Sequence, residues 1–120
     1  MSDEKRGFAF AHDLVPLILN ESKTFTYRLG DKYDVLNPAD TCRVRDAATG
    51  MPFADIEILE KTTVRFDELP IDRAGHESYP SKETMRQTFE LYYGQPVTDD
   101  EHVLVFQFKL LRPLRSNQDS

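Results

Sequence analysis

Four stretches of this chain carry their side chains with a period of two, and that alternation constrains the fold more than any other feature. Phe25, Tyr27 and Leu29 alternate with Thr24, Thr26 and Arg28, and Cys42 and Val44 alternate with Arg43 and Arg45. Ile56, Ile58, Val64 and Phe66 mark a longer stretch over 53–66, and Leu104, Phe106, Phe108 and Leu110 share one face of a fourth over 103–111. Successive side chains of a strand point to opposite faces, so each stretch predicts a strand. The long third one predicts a break near Glu60 and Lys61, and Ala47 to Gly50 predicts the hairpin turn in front of it.

Two segments have helical spacing instead. Leu14, Leu17 and Ile18 follow Asp13, a good N-cap, with Pro16 where a first turn tolerates it. Ser81 predicts the start of a second helix, with Glu83 in its first turn, a buried stripe of Met85, Thr88, Phe89 and Tyr92, and Gly94 as its stop. The Gly, Asn and Pro punctuation of 30–40 predicts a long loop anchored by Tyr33, Val35 and Leu36. Strands joined by long crossovers, with only two helices, predict an α+β fold: a small mixed β-barrel flanked by two or more helices rather than a βαβ repeat. A chain of 120 residues suits one core, expected over 8–112, with frayed polar tails at 1–7 and 113–120.

Charge narrows the function. The formal net charge is −6 and no polybasic stripe exists, which disfavours affinity built on releasing counterions from long nucleic acid while leaving room for a small basic pocket. The longest apolar run, Leu14 to Leu19, is six residues with a proline inside, too short for a membrane span or a signal-peptide core. A cytoplasmic protein is expected. Cys42 has no second cysteine to pair with, in keeping with a reducing compartment, and reads as a small buried hydrophobe.

No phosphate-binding glycine loop, dinucleotide fingerprint, His-Glu-x-x-His or cysteine pair occurs, so neither a metal nor an organic cofactor is expected. Asp99-Asp100-Glu101-His102 reads as a solvated turn, and His76 and His102 as loop residues without an orienting partner. The stretch with chemical capability is Ser22-Lys23-Thr24-Phe25-Thr26-Tyr27-Arg28. Composition alone makes its polar face solvent-facing. Lys23 has the opposite parity to Thr26 and Arg28, and joins them only if the turn after the first helix carries it around the strand end.

That stretch, in the order helix, strand, hairpin, acidic loop with helix, final strand, resembles the ASCH family, a branch of the PUA-like barrel superfamily. The family signature is approximately Gly-x-Lys-Thr-x-Thr-x-Arg. Lys23, Thr24, Thr26 and Arg28 match it, while the glycine position is Glu21, preceded by Asn20, a residue able to adopt a left-handed turn. The resemblance spans roughly 14–111 and implies a PUA-like barrel. Small bacterial N(4)-acetylcytidine amidohydrolases of this family use a lysine, a threonine and a glutamate, and the corresponding positions here are Lys23, Thr26 and Glu77.

The resemblance implies an amidohydrolase of an acylated pyrimidine nucleoside without a metal. Because a threonine hydroxyl needs a base, Thr26 is assigned as nucleophile and Lys23 as its activator, with Glu77 and the Arg28 or Lys23 cation as candidates to supply the leaving-group proton and the oxyanion donors. Arg28, Thr24, Arg45, Tyr33 and Tyr79 are the expected substrate-binding residues, and Tyr33, Tyr79 and Tyr93 are candidates for a stacking wall, with Tyr27 turned to the core. The alternatives are a non-catalytic module binding single-stranded RNA or a modified nucleotide through Lys23, Arg28, Arg43 and Arg45, and a ribonuclease using the same cleft. The expected partner is a small nucleoside-type ligand, with single-stranded RNA as the alternative.

Overall fold

The computed structural model describes residues 5–114, and its frame is one curled five-stranded sheet. The strands are β1 (Lys5–Phe10), β2 (Phe25–Leu29), β3 (Thr41–Asp46), β4 (Pro52–Arg65) and β5 (His102–Pro113). Their order is β1-β3-β4-β5-β2, with β1 parallel to β3 and every other pairing antiparallel. Helices α1 (Val15–Leu19) and α2 (Lys82–Tyr93) flank it, and short 3-10 turns cover His12–Leu14 and Phe66–Glu68. The result is the mixed α+β half-barrel that the alternation implies.

The expected domain start at residue 8 is corrected, because β1 already begins at Lys5. Gly7 explains how that polar segment joins the sheet: a Cβ there would come within 2.6 Å of the Arg43 carbonyl oxygen, so only glycine lets β1 lie this close to β3. At the other end Pro113 belongs to β5 and the Leu114 N–H donates to Phe53 O. The remaining tail residues, 1–4 and 115–120, lie outside the described residues.

Both faces of the sheet are covered. One cluster gathers Phe8, Phe10, Ile18, Leu36, Cys42, Ile56, Ile58, Leu104, Phe106 and Phe108. The other gathers Tyr27, Leu29, Phe66, Leu69, Met85, Phe89, Val103 and Val105 beneath α2. Strand β5, expected to bury one face, therefore buries two, since α2 packs on the side that its valines occupy.

Other local expectations shift for identifiable reasons. Asp13 caps nothing, because the 3-10 turn at His12–Leu14 runs directly into α1 and places it already inside a turn. Ser81 does cap α2, its Oγ accepting from the Thr84 N–H at 3.1 Å, and Gly94 ends it at φ 70°. The stripe of α2 runs through Met85, Phe89 and Tyr93 at intervals of four, so Thr88 and Tyr92, expected in the buried stripe, lie exposed at its edge. Strand β4 does not break at Glu60; it continues with one extra residue, Leu59, where the register slips between Ile58 and Glu60. In the 30–40 loop Leu36 is buried while Val35 is exposed.

Candidate active site

The turn between α1 and β2 builds the first part of the site. Glu21 takes a left-handed conformation at φ 67°, whereas Asn20 before it, the expected left-handed residue, has φ −94°. The N–H groups of Ser22 and Lys23 both close back on Leu17 O, at 2.9 and 3.0 Å. This wrap carries the Lys23 side chain around the strand end to the side of Thr26 and Arg28, where its ammonium lies 5.9 Å from the centre of the Phe10 ring. Lys23 is only 4% exposed. Its Nζ donates to Phe25 O at 2.8 Å and to Glu77 Oε2 at 2.5 Å.

Glu77 reaches that lysine because its loop is pinned onto β2. Gly75, at φ 88°, offers its carbonyl to the N–H groups of both Thr24 and Phe25, and any Cβ at that position would fall on Thr24 Oγ1. The His76 ring stacks on Tyr27 with centroids 3.9 Å apart and planes 11° from parallel. Arg73 donates from Nε to the Tyr27 hydroxyl at 3.0 Å and covers the Phe25 ring.

The polar face of β2 is buried rather than solvent-facing, because β1 folds over it. Thr26 and Arg28 are almost fully covered. Arg28 donates from Nε to Thr26 Oγ1 at 3.0 Å and from Nη2 to Ala9 O of β1 at 3.2 Å. Its guanidinium sits about 5 Å from the ring centres of Phe8, Phe10 and Tyr33. Since β1 and β2 are the two outer strands of the sheet, Arg28 spans the seam between its edges.

A cavity of about 210 Å³ opens along this seam. From β1 and its exit come Phe10 and Leu14, from β2 and its approach Lys23, Thr26, Tyr27 and Arg28, and from the pinned loop His76, Glu77 and Tyr79. Helix α2 closes the far side with Phe89, Tyr92 and Tyr93.

The charges in it are mutually adjusted. Burial lowers the Lys23 pKa from its ordinary value, against the pull of Glu77, and Arg28 adds to the lowering. Burial pushes the Glu77 carboxyl up, yet the Lys23 cation and His76 hold it below its usual value. Burial, then the nearby Lys23 charge, pushes His76 down to about 4, so its ring is neutral at pH 7. Tyr79 is raised to about 12 by burial and by Glu77, and remains a phenol.

Of the residues expected from sequence, Lys23, Thr26, Glu77, Arg28 and Tyr79 meet in the cavity, joined by Tyr93. Thr24, Tyr33 and Arg45 do not line it. Thr24 lies against Gly75 and holds the loop. Tyr33 packs on Phe8 beneath Arg28, a support rather than a wall. Arg45 belongs to β3, one strand behind the seam, and Arg43 is bound to Asp55 at 2.9 Å, so the four-residue basic patch is not assembled. His76, Tyr27, Phe10 and Tyr92 enter the site without having been expected there. A wider acidic depression of about 620 Å³, bordered by Asp31, Asp34, Asp100, Glu101 and His102, has neither a cation nor an aromatic wall. Among the described residues no cluster of three or more His, Cys, Asp or Glu is placed to hold a metal ion, and no helix is long and apolar enough to cross a membrane.

No protein-family model matches the sequence, and no curated protein matches it. Solved structures do match. The ASCH domain from Lactobacillus crispatus superposes with a TM-score of 0.62 at 20% identity, over 87% of this chain and 79% of that one. The fold is the ASCH fold. A mutant of the ASCH protein of Zymomonas mobilis matches at a TM-score of 0.62 and 15% identity, over 98% of this chain and 79% of that one. A DUF984-family protein from Enterococcus faecalis matches at 0.77 and 14% identity, over 98% of this chain and 86% of that one. Within this ASCH fold the seam between the outer strands is where the buried cations, the carboxylate and the aromatic rings converge.

Proposed function

We propose that this protein is an amidohydrolase of an acylated pyrimidine nucleoside of the N(4)-acetylcytidine type. The observation that carries the reading is the convergence of Lys23, Thr26, Glu77 and Arg28 in one aromatic-walled cavity of about 210 Å³. That volume is below the roughly 300 Å³ at which drug-sized pockets begin, which suits a single nucleobase and its sugar. Net charge of −6 also favours a small neutral ligand over a polyanion.

In this reading Thr26 Oγ attacks the acyl carbon, forming a C–O bond as its proton passes to the Lys23–Glu77 pair. Arg28, already donating to that oxygen, steadies the charge it carries, and the third N–H of the Lys23 ammonium is free to donate to the carbonyl oxygen as it becomes an oxyanion. The C–N bond then breaks, the pair returns its proton to the leaving N4, and cytidine departs. Water next adds to the threonine ester, releasing the carboxylic acid and restoring the hydroxyl. Lys23 makes no hydrogen bond to Thr26 among the described residues, so its part is assigned to the shared proton and the oxyanion rather than to direct activation of Thr26.

The test is release of cytidine from N(4)-acetylcytidine by the purified protein, beside Lys23→Ala and Thr26→Ala variants, with chelator present throughout. Turnover lost in Lys23→Ala with the fold intact supports the reading. A fully active Thr26→Ala variant would remove the covalent step, and no turnover by the natural chain would overturn hydrolysis altogether.

A further inference from the structure

The cavity crosses the open edge of β2, and the backbone there is unevenly satisfied. Register places Thr26 opposite Phe106 and Arg28 opposite Leu104, while Tyr27 faces Val105. The Phe108 N–H donates to Thr24 O, so the hydrogen-bonded rungs to β5 are those of Thr24, Thr26 and Arg28. The peptide groups of Phe25, Tyr27 and Leu29 therefore point the other way, into the seam.

Two of these three outward rungs are occupied. Phe25 donates its N–H to Gly75 O and accepts from Lys23 Nζ. The Leu29 N–H donates to the Tyr93 hydroxyl at 3.0 Å. Between them, the N–H and C=O of Tyr27 face away from β5 on an edge strand with no second partner strand, and among the described residues no turn, loop or side-chain hydrogen bond reaches them, although the residue is 6% exposed and borders the cavity. A buried peptide group is costly to leave unpaired and is met by water or by a ligand, so an open rung at a cavity wall is a place where a ligand can bind.

We propose that the peptide group of Tyr27 is a ligand-binding element that pairs with an adjacent acceptor and donor on a nucleobase edge, N3 and the N4–H of a cytosine. This inference rests on the nucleoside reading above. A strand cannot add here, because the neighbouring rungs are already taken and only one residue is open. What fits is a planar group with one acceptor beside one donor. Tyr27 follows Thr26 directly, so a base held on this rung by N3 and N4–H presents the acyl group on N4 beside the Thr26 hydroxyl and the Lys23–Glu77 pair. The rung thus selects amides in which the nitrogen keeps a hydrogen.

The experiment is a titration of the isotope-labelled full-length chain with cytidine, and separately with 3-deazacytidine, which lacks the N3 acceptor, following backbone amides by NMR. The expected result is a downfield shift and slowed hydrogen exchange of the Tyr27 amide on adding cytidine, with 3-deazacytidine binding roughly ten- to a hundredfold more weakly. Equal binding of the two nucleosides, with the His76 and Glu77 amides shifted and that of Tyr27 unmoved, would overturn the inference and leave the hydrolase reading standing. Failure of either nucleoside to move any cavity amide, together with no turnover of N(4)-acetylcytidine, would sink the hydrolase reading and this inference with it.

Discussion

Lys23 Nζ lies 2.5 Å from Glu77 Oε2 across 54 residues of sequence, and the ammonium donates to the carboxylate as a part-buried ion pair. Both titrate below their ordinary values, so the singly protonated pair persists over a window displaced towards acid. The activity profile should therefore show an acid limb below the ordinary glutamate value of 4.5 and an alkaline limb below the ordinary lysine value of 10.5. A pH series of kcat/KM on N(4)-acetylcytidine checks both limbs, and an alkaline limb at or above 10.5 would contradict the pairing.

Glu77→Gln removes the proton store and leaves the buried lysine cation without its counter-charge. Turnover should fall roughly a hundredfold or more. Stability should fall by about 1–3 kcal/mol, read as a lowered denaturation midpoint.

His76 is neutral in the folded protein, with a pKa near 4 against an ordinary 6.5. The unfolded chain binds the extra proton first as pH falls, so stability is full above 6.5 and is lost towards 4. Over that window the loss from this group is up to roughly 3 kcal/mol. His76→Phe keeps a ring against Tyr27 and should flatten the pH dependence of chemical denaturation between pH 4 and 6.5; an unchanged slope would count against a buried neutral histidine.

Glu21 occupies a left-handed turn that favours glycine. Glu21→Gly should stabilise the fold by about 0.5–1 kcal/mol, the relief of strain outweighing the added freedom of the unfolded chain, with turnover unchanged. Thermal denaturation of the variant measures it.

Gly75 is the hinge of the Glu77 loop. Gly75→Ala sets a methyl against Thr24 Oγ1 at a positive φ, so the loop has to lift from β2. Glu77 then loses Lys23, and turnover should drop by roughly a hundredfold or more while the circular dichroism of the sheet is kept.

Strands β2 to β5 were legible because alternation is a local property, and α2 because Ser81 and Gly94 carry its boundaries in single residues. Lys23, Thr26 and Arg28 were legible as a motif on one strand. Their burial was not, since alternation says which way Arg28 points but not what lies over it, and the cover is Phe8 to Phe10 of β1, a strand whose first residues read as the end of a polar leader. His76 was illegible for a related reason. Its burial comes from Tyr27, 49 positions away, and from the lift that Gly75 gives the loop, neither of which leaves a local pattern.

Among the described residues the outer strands of the sheet form no backbone ladder with each other, and Arg28, which hydrogen-bonds from β2 to β1, also faces the cavity. Closure of the barrel and occupancy of its site are consequently one equilibrium seen from two sides. A ligand that draws on Arg28 tightens the fastening between β1 and β2, and loosening of that fastening, by heat or by mutation far from the cavity, shows first as weakened binding.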